Sequence, residues 1–150
     1  MRIADYAATD LIATGLEARD KDDLLQKMVG MLVHSGRVRQ SDVLMGELQK
    51  RERVMSTGIG GGIALPHALS NEVENLEVVF ARTSEPLEFE ALDSSPVDLV
   101  VMLVGPKLAS NVYVKLLARV SRLLQGEEFK QRLRDAASPE EVLEVFRSAE

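Results

Sequence analysis

A histidine stands five residues after a run of glycines and directly after a proline, in Gly58-Ile-Gly-Gly-Gly-Ile-Ala-Leu-Pro-His67. A neutral imidazole is a good nucleophile near pH 7. Phosphoryl transfer needs little more than an in-line nucleophile with positive or N–H groups around three oxygens. Pro66 stiffens the approach to His67 through its fixed φ. The glycines free the backbone for positive φ and close approach to a ligand. Successive N–H groups in such a segment can form an anion-binding concavity. His67 in this setting could accept a phosphoryl group. It could equally be a loop histidine that only hydrogen-bonds its neighbours, beside a segment that simply turns tightly. No Gly-Lys-Ser/Thr follows the glycines and no helix pattern begins directly after them, so neither phosphate-loop nor dinucleotide fingerprints are matched.

The rest of the composition narrows the chemistry. The chain has 150 residues, no cysteine and two histidines. Disulfides, thiolate metal sites, a cysteine nucleophile and a multi-histidine metal site are excluded. His34 falls in the last turn of a helix pattern, where a cation is favoured by the helix dipole, and reads as structural. Net charge is −6, and residues 67–100 hold eight acidic side chains against Arg82 alone. No basic footprint for nucleic acid is visible. The acidic stretch reads as solvated strand edges and loops, or as a field that steers a basic partner. No apolar run approaches the ~18 residues of a membrane span, and the first ten residues lack a secretory core. The expectation is one cytoplasmic domain over residues 1–150.

The elements that must position His67 alternate in kind, which carries the fold class. Leu11–Leu16 reads as a short strand. Asp20 and Asp23 mark a helix start, apolar residues from Leu24 to Leu32 follow at helical spacing, and Gly36 is a stop. A second helix is predicted from about Ser41 to Arg53. The stretch 56–62 is too glycine-rich for helix or regular strand. Ile63–Leu65 reads as extended, Leu76–Ala81 as a half-buried strand, and Leu87–Phe89 as a short edge strand. Val97–Val104 is almost wholly apolar and suits a central strand covered on both faces. Helices follow at about 112–124 and Glu127–Ala136, and a capping box at Ser138-Pro139-Glu140-Glu141 opens the last. The reading is an α/β fold, a three-layer α/β/α sandwich with a mixed sheet, in approximate order β-α-α-β-β-β-α-α-α.

Arg51-Glu52-Arg53, Ser56-Thr57-Gly58-Ile59-Gly60 and Gly62-Ile63-Ala64-Leu65-Pro66-His67 occur in order, with His67 sixteen residues after Arg51. This pattern resembles the signature of the enzyme IIA domain of the bacterial phosphoenolpyruvate-dependent phosphotransferase system. The resemblance is to the fructose/mannitol type, and within it the nitrogen-regulatory branch. Pro96-Val97-Asp98-Leu99 and the Leu/Arg-rich helix beyond it extend the likeness over essentially the whole chain. The resemblance implies a three-layer sandwich. It implies that His67 takes a phosphoryl group from a small HPr-like phosphocarrier protein and passes it to an enzyme IIB domain, or holds it as a regulatory signal. It implies that Arg51 supports the site, where a guanidinium fork suits phosphate oxygens or an acidic rim. Without the resemblance, Arg51 reads equally as a surface residue paired with Glu47 one turn back. Ser56, Thr57 and the N–H groups of Gly58 and Gly60 are the candidate oxygen donors. No metal or other cofactor is implied.

One departure stands out. The family usually places a second histidine near the start of the helix after the central strand, and here Tyr113 falls there. A phenol can donate a hydrogen bond but at a pKa of ~10 supplies no positive charge. Tyr113 also reads as core packing on the Leu117, Val120, Leu124 stripe. Lys107 and Lys115 are nearby in sequence and could compensate. Two functions follow from the resemblance. The first is a phosphocarrier acting through His67. The alternative is a regulatory protein-binding module that keeps the fold while phosphotransfer is weakened or lost. A nucleotide-binding enzyme ranks behind both, since no Walker lysine or metal-ligand pair is present.

Overall fold

A computed structural model describes residues 2–150. In chain order the elements are β1 (Ile12–Leu16), α1 (Lys21–His34), α2 (Ser41–Val54), β2 (Gly58–Gly60), β3 (Ile63–Ala64), β4 (His67–Leu69), β5 (Glu77–Leu87), β6 (Val97–Gly105), α3 (Ser110–Leu123), α4 (Glu127–Asp135) and α5 (Pro139–Ser148). Single 3-10 turns at Ile3–Tyr6 and Thr9–Leu11 precede β1, so Leu11 lies just outside the strand that its sequence suggested.

Within the described residues the strands form one six-stranded mixed sheet, ordered β1-β5-β6-β3-β2, with β4 also paired to β6. β1 runs parallel to β5, and β5 antiparallel to β6. One edge of β6 carries two short partners in succession, both parallel: β3 at Leu99 and Val100, then β4 at Leu103, Val104 and Gly105. Alternation along β6 sends Leu99, Val101 and Leu103 into a core shared with α3, α4 and α5. Val100, Met102 and Val104 enter the opposite core, with α1 and α2. That two-sided burial is why the run at 97–104 shows no polar alternation. The fold is the expected α/β sandwich.

Helix starts follow their caps. The Asp20 carboxylate accepts the Asp23 N–H at 2.8 Å at the head of α1, and Gly36 closes the turn beyond it at φ +71°. The Ser138 hydroxyl accepts the Glu141 N–H at 3.2 Å. The Glu141 side chain returns to the N–H of Ala137, one residue before the cap, so the box is not reciprocal as the sequence suggested.

Three sequence expectations need correction. The glycine stretch does contain a strand, the three-residue β2, antiparallel to β3. Leu87–Phe89 is not a separate edge strand: β5 continues through Arg82 and ends at Leu87, while Phe89 is fully buried. Five strands rather than three therefore separate α2 from α3. Arg82 explains why β5 looked shorter. Its guanidinium donates to the carbonyls of Leu133, Arg134 and Ala136 at the end of α4 and to that of Thr14, at 2.8–3.0 Å. A cation on the core-side layer thus interrupts the apolar alternation while satisfying helix-end carbonyls.

The acidic stretch is largely structural. Arg134 grips Asp98 with two bonds of 2.8 and 2.9 Å, Arg37 meets Glu77, and Arg39 meets Glu74. Asp93 accepts the N–H groups of Gly61 and Ser95, which hold its carboxyl below the ordinary value.

Candidate functional site

The site is built where β3 gives way to β4. Pro66 has no N–H to offer a neighbouring strand, and the pairing along β6 passes from Ala64 to His67 across it. The Pro66 carbonyl still accepts the Leu103 N–H at 3.0 Å. The Leu65 carbonyl is turned to a different use: it lies 2.7 Å from His67 Nδ1. A carbonyl can only accept, so Nδ1 carries the hydrogen and the lone pair resides on Nε2. His67 therefore sits on a strand rather than in a loop.

Burial pushes the imidazole below its ordinary pKa. The Leu65 bond works against that lowering, the charge of Arg51 adds to it, and the charge of Glu52 opposes it. The lowered pKa favours the neutral ring at pH 7, with Nε2 free of a proton.

Tyr113, in the first turn of α3, lies with its ring centroid 6.2 Å from that of His67, tilted by 52°. It is buried in the core on the α3 side. Burial pushes its phenol up to about 12, against a smaller lowering from Arg51. It is a neutral hydrogen-bond donor at any physiological pH. It thus packs as a core residue and also borders the histidine.

Arg51, in the last turn of α2, is half-buried, and its Nη1 donates to the Met55 carbonyl at 2.9 Å. Glu47 does not hold it: that carboxylate accepts the Ser70 hydroxyl at 2.8 Å. The bond to Met55 lies at the C-terminus of the helix, and both residues line the groove that contains His67.

That groove encloses about 430 Å³ and is lined by Arg51, Ser56, Thr57 and His67 on its polar side, with Leu65 and Leu117 among its apolar walls. Met55, Leu92 and Val114 stand on it 59%, 70% and 62% exposed. This apolar rim escaped sequence reading, because exposed single residues on three separate segments carry no periodic signal.

The candidate oxygen donors divide. Thr57 is buried in the groove wall and its hydroxyl has no hydrogen-bond partner among the described residues. Ser56 lines the groove but its hydroxyl donates to the Phe89 carbonyl at 2.7 Å and accepts the Gly58 N–H at 3.1 Å. Gly58 and Gly60 are not among the groove's lining residues. A Cβ at Gly58 would lie 2.8 Å from the backbone of Ala91, so close packing explains that glycine. The turn Gly60–Gly62 is held at positive φ and fastened by Asp93 and Arg134. Lys107 and Lys115 are also absent from the groove lining. Among the described residues no three His, Asp or Glu side chains are grouped to hold a metal ion. No helix there is long and apolar enough to cross a membrane.

The chain is 32% identical over 146 residues to a nitrogen regulatory protein of Bradyrhizobium diazoefficiens, covering 97% of this chain and 95% of that one. It is 31% identical over 146 residues to the PTS system fructose-specific EIIABC component of Bacillus subtilis, of whose length it spans only 23%. The crystal structure of the nitrogen regulatory protein IIA-Ntr of Neisseria meningitidis superposes with a TM-score of 0.90 at 26% identity, covering 96% of this chain and 98% of that one. Residues 6–149 match the family described as phosphoenolpyruvate-dependent sugar phosphotransferase system, EIIA 2. A match over residues 6–149, with a relative 32% identical over nearly the full length of both chains and a shared fold, places the chain in that family: it is an EIIA phosphocarrier domain.

Proposed function

We propose that residues 1–150 act as one EIIA unit in which His67 Nε2 accepts a phosphoryl group from the phosphohistidine of an HPr-like carrier. The group then passes to an enzyme IIB domain or is held as a regulatory signal. The observation that carries this reading is the 2.7 Å bond from Nδ1 to the Leu65 carbonyl, which leaves the lone pair on Nε2 in the groove. In the transfer, Nε2 forms a bond to phosphorus as the donor's N–P bond breaks, and the electron pair returns to the donor nitrogen. No proton must leave His67 first. Arg51 supplies positive charge to the transferring oxygens, and Thr57, whose hydroxyl is buried and unpartnered among the described residues, is a neutral donor in the groove wall. The exposed apolar rim of Met55, Ile59, Leu92 and Val114 suits docking of the partner protein around the histidine. The work of such a domain belongs in the cytoplasm.

The test is transfer from phosphoenolpyruvate through enzyme I and a histidine phosphocarrier to the purified chain. Acid-labile phosphate on the parent and none on His67→Ala supports the reading. Equal labelling of both overturns it.

Tyr113 favours a second reading, a regulatory binding module with weakened phosphotransfer. A neutral phenol beside the histidine adds no positive charge to the transferring group. Under this reading, Tyr113→His speeds transfer, while target binding survives in His67→Ala.

A further inference from the structure

The segment between α2 and β2 is clamped from α1 by an ion pair whose carboxylate is buried. Glu52 follows Arg51 on α2, and its side chain is 6% exposed. Its Oε1 accepts the Thr57 N–H at 3.1 Å and lies 2.8 Å from Lys21 Nζ in the first turn of α1. That ammonium sits 4.6 Å from the centroid of the Phe89 ring, whose backbone carbonyl accepts the Ser56 hydroxyl. Glu52 and Lys21 line a polar cleft of about 720 Å³, while Thr57 lines the His67 groove. Met55 and Ser56 border both. Glu52 Oε2 is buried without a hydrogen-bond partner among the described residues.

An ion pair at this depth is a poor source of stability, because desolvation offsets most of its attraction. Its position gives it a different use. Thr57, whose hydroxyl faces no other partner, is tethered by its N–H to Glu52. The charges that act on the His67 ring come from adjacent residues of α2: Arg51 opposes protonation and Glu52 favours it. From α3 the ring faces the uncharged Tyr113, and from β3 the Leu65 carbonyl. Lys21, on α1, reaches Glu52 rather than the ring. Without Glu52, burial and Arg51 together would drive the imidazole further down, and a less basic nitrogen is a weaker nucleophile.

We propose that Glu52, fixed by Lys21, is a positioning residue of the phosphoryl site, holding Thr57 at the groove wall and offsetting the charge of Arg51 on His67. The proposal rests on the assignment of His67 as acceptor, and its test separates the two. Glu52→Gln keeps the shape and an acceptor for the Thr57 N–H but removes the charge. The His67 ring is titrated by NMR, and phosphorylation by a phosphorylated histidine carrier is timed between pH 5 and 8. Glu90→Gln, which removes a carboxylate from the rim of the same cleft, is the control.

The expected result is a fall in the His67 midpoint, with the acid limb of the rate profile moving to lower pH alongside it. A folded Glu52→Gln whose midpoint moves no farther than that of Glu90→Gln overturns the proposal. If Glu52→Gln does not fold, Lys21→Met/Glu52→Gln removes both charges at similar volume, and the same shift or its absence decides. A shifted midpoint in a chain that accepts no phosphoryl group supports the charge role of Glu52 while sinking the acceptor assignment. An unmoved midpoint with full acceptance overturns Glu52 alone.

Discussion

The imidazole of His67 is shaped by one carbonyl, two charges and its own burial. The Leu65 carbonyl fixes the tautomer, and burial with Arg51 lowers the pKa below 6.5. Two consequences can be measured. The rate of phosphoryl acceptance should stay level as pH falls through 6.5 and decline only at lower pH, because the ring remains neutral there. Stability should move in the matching direction. The unfolded chain binds the proton more tightly than the folded one, so the contribution of His67 is fully present above 6.5 and is lost as pH falls toward the folded pKa. Denaturation of the parent and His67→Gln between pH 8 and 5 checks this: the parent should lose more stability than the variant. Arg51→Gln should raise the His67 midpoint and slow transfer by roughly 10²-fold, as the loss of an oxyanion contact does. An unchanged midpoint would place Arg51 outside the reach of the ring.

At the scale of elements, the long periodic pieces were legible and the short ones were not. α1, α2, β6 and the final helices follow from apolar spacing and caps. β2 and β4 are three residues each, too short for alternation to register; β2 is defined by its pairing to the two-residue β3 just beyond it, and β4 by its pairing to the distant β6. The path of β5 past Ala81 was hidden by Arg82, whose partners are carbonyls of α4 and of Thr14. Arg82→Met leaves those acceptors unsatisfied, and chemical denaturation should report a loss of about 2–4 kcal/mol. A loss under ~0.5 kcal/mol would contradict that role. His67 stood out in the sequence because histidine is rare here and carries chemistry by type, whereas Arg51, one of twelve arginines, was singled out only by the family resemblance. The purposes of Ser56 and Gly58 were not, because a hydroxyl bonded to Phe89 and a glycine packed on Ala91 depend on a segment thirty residues away. Gly62→Ala makes the same point as an experiment. Its φ is +82°, and a Cβ there would lie 2.7 Å from Asp98 and 2.8 Å from Arg134. It should cost more than ~1 kcal/mol and loosen the ion pair that anchors the turn.

For the molecule as a whole, two cores on opposite faces of one sheet leave a single groove where the histidine, the arginine and exposed apolar side chains meet. Association there should be governed by that apolar rim. Leu92→Glu should slow phosphoryl acceptance at least about 10-fold at limiting donor, with the melting temperature unchanged, since Leu92 is 70% exposed. Normal acceptance by that variant would move the docking surface elsewhere. The acidic excess at 67–100 plays a smaller part than its sum suggests, because Glu74, Glu77 and Asp98 are already paired with arginines. The most direct test of the account is to locate the phosphorus. The chain is phosphorylated through the carrier system and the His67 ring nitrogens are assigned by NMR. The account predicts phosphorus on Nε2, with Nδ1 still protonated and bonded to the Leu65 carbonyl. Phosphorus on Nδ1, on another residue, or nowhere in a folded chain would contradict it.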